Sequence, residues 1–505
     1  MKTPILGGAY TARSVNAAAS RMVNLFPEIV PDGGKEPAFL QRCPGLELVG
    51  TVGEGPIRGL WKFGDFLYVA SGGKLYRVDG NFAVTELGLI NGSGPVSMSD
   101  NGIQLFVACN PDAFIYNAST GVFSQVNDPD FPGAVTVGYL DGYFVFNEPN
   151  SQRFWVTSLN DGSQIDPLDF ASAEGNPDSI VSLLINHREV WLFGNNTIEV
   201  WYNAGLADFP LARIEGAFME TGCLAAYSVA KLDNSVFWLG SDARGNGIVY
   251  RNQGYNAQRI STHAIEWQIQ QYGVLTDAIG YSYQQDGHSF YVLTFPTANA
   301  TWVYDVATGL WHERAYWDGV QFRRHRSNCQ ANFANRVLVG DWENEFLYAF
   351  NPEIHDDNGE SQRWLRSWRA LPTGQNNLKR TAHHSLQLDC ESGVGVSTGE
   401  NFFLLTENNL FLTDENGNPL VTASISLILG QDPHVMLRWS DDGGHTWSNE
   451  HWASMGKLGD YGTRVIWRRL GMTTKLRDRV YEVSGSDPVK IAIMGAELAV
   501  TPTAA

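Results

Sequence analysis

Basic residues are scarce. Lys and Arg number 35 against 54 Asp and Glu, the formal net charge is −19, and charged residues make up only 18% of the chain. Phosphate binding needs clustered Lys and Arg, so this balance excludes a protein that wraps nucleic acid. Cysteine is rare as well. Cys43, Cys109, Cys223, Cys329 and Cys390 lie far apart with no CxxC pair, which speaks against zinc and disulfides and for buried thiols made in a reducing cytoplasm. No uncharged apolar run approaches the roughly 18 residues of a membrane helix, and the opening MKTPILGGAYTARSV lacks the apolar stretch of a signal peptide. A soluble product without membrane insertion is expected. Catalytic signatures are missing too: there is no G-x-S-x-G, no G-x-x-x-x-G-K-S/T and no H-E-x-x-H. Acidic residues and Tyr are plentiful, but no pair has a spacing diagnostic of glycan hydrolysis. The chain is therefore expected to be no enzyme, with no catalytic residue, cofactor or metal site.

What the chain does have is aromatics (12%) and 52 Gly, the composition of many short strands separated by turns. One eleven-residue pattern occurs twice: FIYNASTGVFS at 114–124 and WVYDVATGLWH at 302–312. Around it a larger unit recurs, marked by a short apolar strand: Leu67-Tyr68-Val69, Phe106-Val107-Ala108, Phe144-Val145-Phe146, Trp191-Leu192-Phe193, Phe237-Trp238-Leu239, Tyr291-Val292-Leu293 and Leu338-Val339-Gly340. Asp100-Asn101-Gly102, Asp141-Gly142, Asp233-Asn234 and Asp286-Gly287 supply turn signals before several of these strands. A period of roughly 40–50 residues with about four strands per unit predicts a β-propeller of about seven blades. The duplicated pattern then reads as a hairpin in the outer part of a blade, with Gly121 and Gly309 at the turn. The competing reading is one large β-sandwich with accidental spacing.

Three parts are expected in this all-β chain. Residues 1–50 hold four prolines between 27 and 44, too many for a compact helix, and read as an extended arm lying on the propeller or on a neighbouring subunit. Residues 51–370 form the propeller. Residues 371–505 form a C-terminal β-sandwich, in which HHSLQLD, NFFLLTE, ASISLILG, VMLRWSDDGGHTW, TRVIWRRLG, RVYEVSG and KIAIMGAEL alternate apolar and polar residues.

Few local motifs suggest chemistry. SDDGGHTW fits the Asp-box pattern through Ser440, Asp442, Gly444, Thr446 and Trp447, a hairpin turn whose Asp binds turn backbone and whose Trp packs beneath. HDDNGE at 355–360 and TDENGNP at 413–419 resemble calcium loops only superficially and read as hairpin turns. Two basic clusters, Arg323, Arg324 and Arg326, and Arg468 and Arg469, could grip phosphate. In so acidic a chain they are read as candidate intersubunit contacts. His383-His384 has no metal partner nearby in sequence and reads as structural.

The order of parts and the segments RMVNLFPE (21–28), EPAFLQRCPGLE (36–47) and GGKLYRVDG (72–80) resemble the packaged-DNA stabilisation proteins of tailed phages, the tail accessory or tail-hub proteins of short-tailed phages. The likeness is strongest over 21–80. It implies a structural protein of the virion tail, synthesised in the bacterial host cytoplasm and assembled as a hexameric ring below the portal-adaptor complex. The ring would close the channel, retain packaged DNA until ejection and carry a tail needle, fibres or spikes. DNA would pass without specific binding, and the family brings no catalytic residue. The alternative is a glycan-binding or glycan-hydrolysing β-propeller of a phage tail.

Overall fold

The computed structural model describes the chain except residues 15–17, 32, 174, 176–177, 207, 243–244, 373, 375–379, 397–401, 404–420, 423–428, 475–478 and 504–505. The expected segments NFFLLTE and ASISLILG lie largely, and the TDENGNP loop wholly, outside the described residues. Among the rest the fold is all-β, with one α-helix, His263–Gln270, between the fifth and sixth blades.

Seven antiparallel sheets form a propeller. The first strands of the blades are Ile57–Phe63, Ser97–Asp100, Val137–Leu140, Ile180–Asn186, Ala230–Leu232, Ile279–Gln285 and Ser327–Phe333. Each apolar triplet noted above lies in the second strand of a blade. That strand has a neighbouring strand on either side and a neighbouring blade on either face, so Leu67, Val69, Phe106, Val107, Phe144, Trp191, Phe237, Tyr291 and Leu338 are all buried. A strand buried on both faces reads as an apolar run, without alternation.

In five of the seven blades the turn from first to second strand has both central residues in the left-handed region, as the twist of a two-residue hairpin requires. Asp141 and Gly142 (φ +48° and +100°), Asp233 and Asn234 (+48° and +57°) and Asp286 and Gly287 (+52° and +81°) do this. So do His187-Arg188 and Ala334-Asn335, whose residue types give no such signal.

The duplicated hairpins join third and fourth strands in blades two and six. In the first, Asn117 Oδ1 accepts from the amides of Ser119 (3.0 Å) and Thr120 (3.2 Å), and Gly121 at φ +72° donates to the Asn117 carbonyl (2.8 Å). In the second, Asp305 accepts from the Ala307 amide (3.0 Å) and the Thr308 hydroxyl (2.7 Å), and Gly309 at φ +69° donates to its carbonyl (2.8 Å). The fourth position must thus be Asn or Asp, and the eighth tolerates positive φ. The tyrosines pack across to the preceding blade: Tyr116 on Tyr68 at 5.5 Å and Tyr304 on Phe237 at 6.3 Å.

The first fifty residues differ from the expected arm. Their described residues are extended, but the strands enter four sheets, one of them the pairing of Tyr10–Thr11 with Ala19–Ser20. Gly45–Thr51 pairs with Phe346–Asn351 and is the fourth strand of blade seven, so the N-terminal region closes the ring. Met22–Val23 sits between the last strand of blade six and Trp364–Arg369, through Val23 opposite Glu313 and Leu365. Leu25–Ile29 and Ala38–Arg42 extend a second sheet through Ala492–Pro502 to Thr381–Cys390 and Val465–Met472. Blade six therefore continues through Met22–Val23 and Trp364–Arg369 into Val480–Gly485, His434–Ser440 and His451–Ser454 as one sheet of nine strands. The sandwich begins before residue 371, because Trp364–Arg369 pairs with Val480–Gly485. One core runs across both parts, from Phe237, Tyr291 and Trp311 to Trp368, Tyr481 and Leu498. All five cysteines are free thiols.

Closure of the ring can be tested on one strand. Leu46 is wholly buried while Leu48, two residues on, is 40% exposed. Leu46→Ala should lower stability by about 2–5 kcal/mol and Leu48→Ala by no more than about 0.5 kcal/mol. Calorimetric unfolding of the two variants checks this; equal effects would contradict the closing role of the strand.

Candidate interaction surfaces

The Asp-box lies at the end of His434–Ser440. Asp442 Oδ1 accepts from the Ser440 hydroxyl (2.6 Å) and the amides of His445 and Thr446 (both 2.9 Å), and Oδ2 accepts from the Thr446 hydroxyl (2.6 Å). Gly444 donates to Ser440 Oγ at 2.8 Å. These bonds, led by the Ser440 and Thr446 hydroxyls, hold the Asp442 carboxyl well below its usual range. The Arg438 guanidinium lies over the Trp447 ring at 4.7 Å. Sequence reasoning missed Asp441, which takes a two-pronged contact from buried Arg479 (Nε 2.7 Å, Nη2 2.9 Å) and anchors the turn to the sandwich core.

The first arginine cluster is not one surface. Arg324 is buried with its guanidinium 3.9 Å from the Trp342 ring centroid, and burial lowers its value to about 10. Arg326 lies over Tyr316 at 3.8 Å and reaches Asp341 (3.4 Å) and Glu343 (3.2 Å). Of the three, only Arg323 is exposed, paired with Asp318 at 2.7 Å. Within the chain, then, an aromatic face covers Arg324, and an aromatic face and two carboxylates hold Arg326. Arg468 and Arg469, on Val465–Met472, are both exposed, and neither makes an ion pair among the described residues.

His383 is buried between the Tyr481 hydroxyl (2.7 Å) and the Thr381 hydroxyl (3.0 Å), and burial lowers it to about 4. Exposed His384 meets Thr501 at 2.9 Å. HDDNGE forms a turn in which Asp356 accepts from the Gly359 amide at 2.7 Å. Among the described residues no group of three or more His, Cys, Asp or Glu is placed to hold a metal ion.

Two arrangements have no sequence signal. The first is the junction of propeller and sandwich. Buried Arg42 donates to the Gln362 amide oxygen (3.1 Å) and to the carbonyls of Asp487 (2.6 Å) and Val489 (2.8 Å). Gln362 in turn donates to Pro44 O (3.1 Å) and Asp357 Oδ1 (3.2 Å). Asp357 is 1% exposed, and desolvation pushes it up to about 7. The second is the central channel, a cavity of about 560 Å3 lined by the first strands of all seven blades.

Two carboxyls give opposite expectations. Asp442 is depressed, so its contribution is complete above about pH 4 and fades only as pH falls toward its folded value. Asp442→Ala should lose on the order of 1 kcal/mol at neutral pH, with the difference from wild type shrinking under strong acid in thermal melts. Asp357 is raised, so its contribution is full below about pH 4 and is lost as pH rises through about 7. Asp357→Asn should flatten the fall in melting temperature between those values; an unchanged slope would show that the carboxyl does not titrate there.

Against known proteins, a family model described as Bacteriophage P22 Gp10, beta-propeller (Phage_stabilise) matches residues 1–355, and one described as Bacteriophage P22 Gp10, beta-sandwich (P22_Gp10_C) matches residues 409–501. No curated protein sequence matches significantly. Similar solved structures include the N-terminal domain of Nup159 (9% identity, TM-score 0.40, covering 65% of this chain and 98% of that one). Another is the computationally designed Ika8 protein (12%, 0.38, 60% and 99%). A third is the extracellular domain of the hybrid two component system BT4673 from B. thetaiotaomicron (12%, 0.42, 88% and 58%). None of these three likenesses bears on function. The two family matches follow the propeller and the sandwich seen in the fold, and the chain belongs to the family of Bacteriophage P22 Gp10, structural phage proteins that stabilise packaged DNA.

Proposed function

We propose that this protein is the hub of a phage tail, a ring of copies below the portal-adaptor complex that closes the DNA channel and carries needle, fibre or spike proteins. The observation that carries this reading is the fate of the few basic residues. Arg324, Arg326, Arg42 and Arg479 are engaged inside the chain, and the basic residues left at the surface belong to a body of net charge −19, unfavourable to phosphate. Such a protein retains DNA by obstruction and does not grip it. The obstruction belongs to an assembly: a cavity of about 560 Å3 within one propeller has the volume of a small-molecule site, and the conduit for DNA runs between copies. A hexamer would carry six charges of −19, or −114 in all, and a wall of that sign lets DNA leave freely. Exposed Arg468 and Arg469 are the contacts proposed between subunits or with tail partners, facing carboxylates of the neighbour. The role is structural and not enzymatic, and its place is the virion tail.

Particles assembled without this chain should fill and then lose their genome, and the purified protein should show negligible affinity for duplex DNA at physiological salt. Replacing Arg468 and Arg469 together by Glu should leave the melting temperature near wild type while native mass spectrometry shows ring assembly, or addition to an adaptor-bearing portal, impaired. Particles that hold their DNA without the chain would overturn the hub; tight, salt-resistant DNA binding would overturn retention by obstruction.

A further inference from the structure

Three charged residues line the central channel: Arg58, Asp100 and Lys231. Two of them, opposite in sign, are held by hydrogen bonds. Arg58 is buried and donates to the carbonyls of Gly94 (2.7 Å), Gly72 (2.8 Å) and Asn91 (3.0 Å). Asp100 accepts from Trp61 Nε1 (2.8 Å) and the Gly102 amide (3.1 Å). Lys231, in the first strand of blade five, is different. Its carbonyl is fixed by the Ser282 hydroxyl of blade six, but among the described residues nothing accepts a hydrogen bond from its ammonium and no carboxylate pairs with it. The side chain reaches solvent along the channel while the walls remove part of its hydration, which holds the ammonium below the ordinary lysine value.

With Arg58 and Asp100 opposite in sign, Lys231 leaves the channel lining with one net positive charge, inside a chain that is otherwise strongly acidic. The remaining wall supplies a second chemistry. Trp61 and Tyr139 line the same channel half-buried, their rings held by the Asp100 contact and by packing of Tyr139 on Phe144 at 5.4 Å. A cavity of about 560 Å3 lies in the range of small-molecule sites, in which an apolar wall with a few convergent polar groups fixes orientation.

We propose that the propeller channel is a binding site for a small carboxylate-bearing molecule with one apolar face, the chemistry of an acidic sugar, with its carboxylate on the Lys231 ammonium and its apolar face against Trp61 and Tyr139. The site is independent of the tail-hub reading and involves no bond making.

Isothermal titration of the full chain with sodium glucuronate tests it, with glucose as the neutral control. Saturable one-site binding of glucuronate is expected, with glucose at least about tenfold weaker, a factor worth one charge-assisted contact. Lys231→Gln should keep the wild-type melting temperature and lose binding by a similar factor, while Lys231→Arg retains it. Absence of saturable glucuronate binding to wild type overturns the site, as does equal affinity for glucose. Undiminished binding by Lys231→Gln, or protection of residues outside the channel in hydrogen exchange with glucuronate, overturns the assignment to Lys231.

Discussion

The architecture depends on main-chain hydrogen bonds made by residues 22–51. A propeller is a circular stack, and each blade is stable only because both faces meet a neighbour, so the ring must be fastened where its two ends come together. Here Gly45–Thr51 fastens it by completing blade seven. Earlier in the chain Met22–Val23 joins blade six to the sandwich, and Ala38–Arg42 reaches Ala492–Pro502 on the far sheet. Buried Arg42 follows directly on that last strand pairing, and its hydrogen bonds to Gln362, Asp487 and Val489 tie the closing segment to both parts. Propeller and sandwich are consequently one mechanical body, with a shared nine-stranded sheet and a shared core.

Much of the propeller is legible in the sequence for physical reasons. Second strands are enclosed on all sides and must be apolar throughout, which is why seven short runs stand out at regular spacing. The Asn or Asp of the duplicated hairpin is dictated by the turn amides it satisfies. The closing strand is not legible, because GLELVGT looks like any other strand and its partner lies about three hundred residues away in sequence. A two-residue strand such as Met22–Val23 has no periodicity to read. The turns at His187-Arg188 and Ala334-Asn335 take left-handed geometry without Gly, held by the pairing on either side. Of the candidate contacts, the Asp-box turn was legible because local spacing defines it, whereas Arg324 and Arg326 looked like a surface cluster because their aromatic partners come from separate strands and loops.

Several arginines of this chain serve as interior residues: Arg42, Arg58, Arg314, Arg324, Arg366 and Arg479 are buried. Arg314 lies 1% exposed among the rings of Tyr283, Phe290 and Phe350, with ring centroids 5.1–5.4 Å away. Arg324 and Arg326 rest on Trp342 and Tyr316. A planar, weakly hydrated cation suits an aromatic face better than an ammonium does. Each arginine held this way is withdrawn from the outside and is unavailable to a phosphate or a partner.

Ring closure by an N-terminal strand also sets an order of events during translation. Gly45–Thr51 leaves the ribosome early, its partner Phe346–Asn351 much later, and Ala492–Pro502 almost last. At about 5–20 residues per second, the opening segment waits roughly 20 to 90 seconds for its final pairing. A chain terminated before Phe346–Asn351 can form some blades but lacks the partner of the closing strand. It keeps unpaired edges open to chaperones and proteases. Only a chain extended through Phe346–Asn351 and Ala492–Pro502 makes every pairing of the opening segment, so the fold itself acts as a checkpoint on which chains are available for assembly.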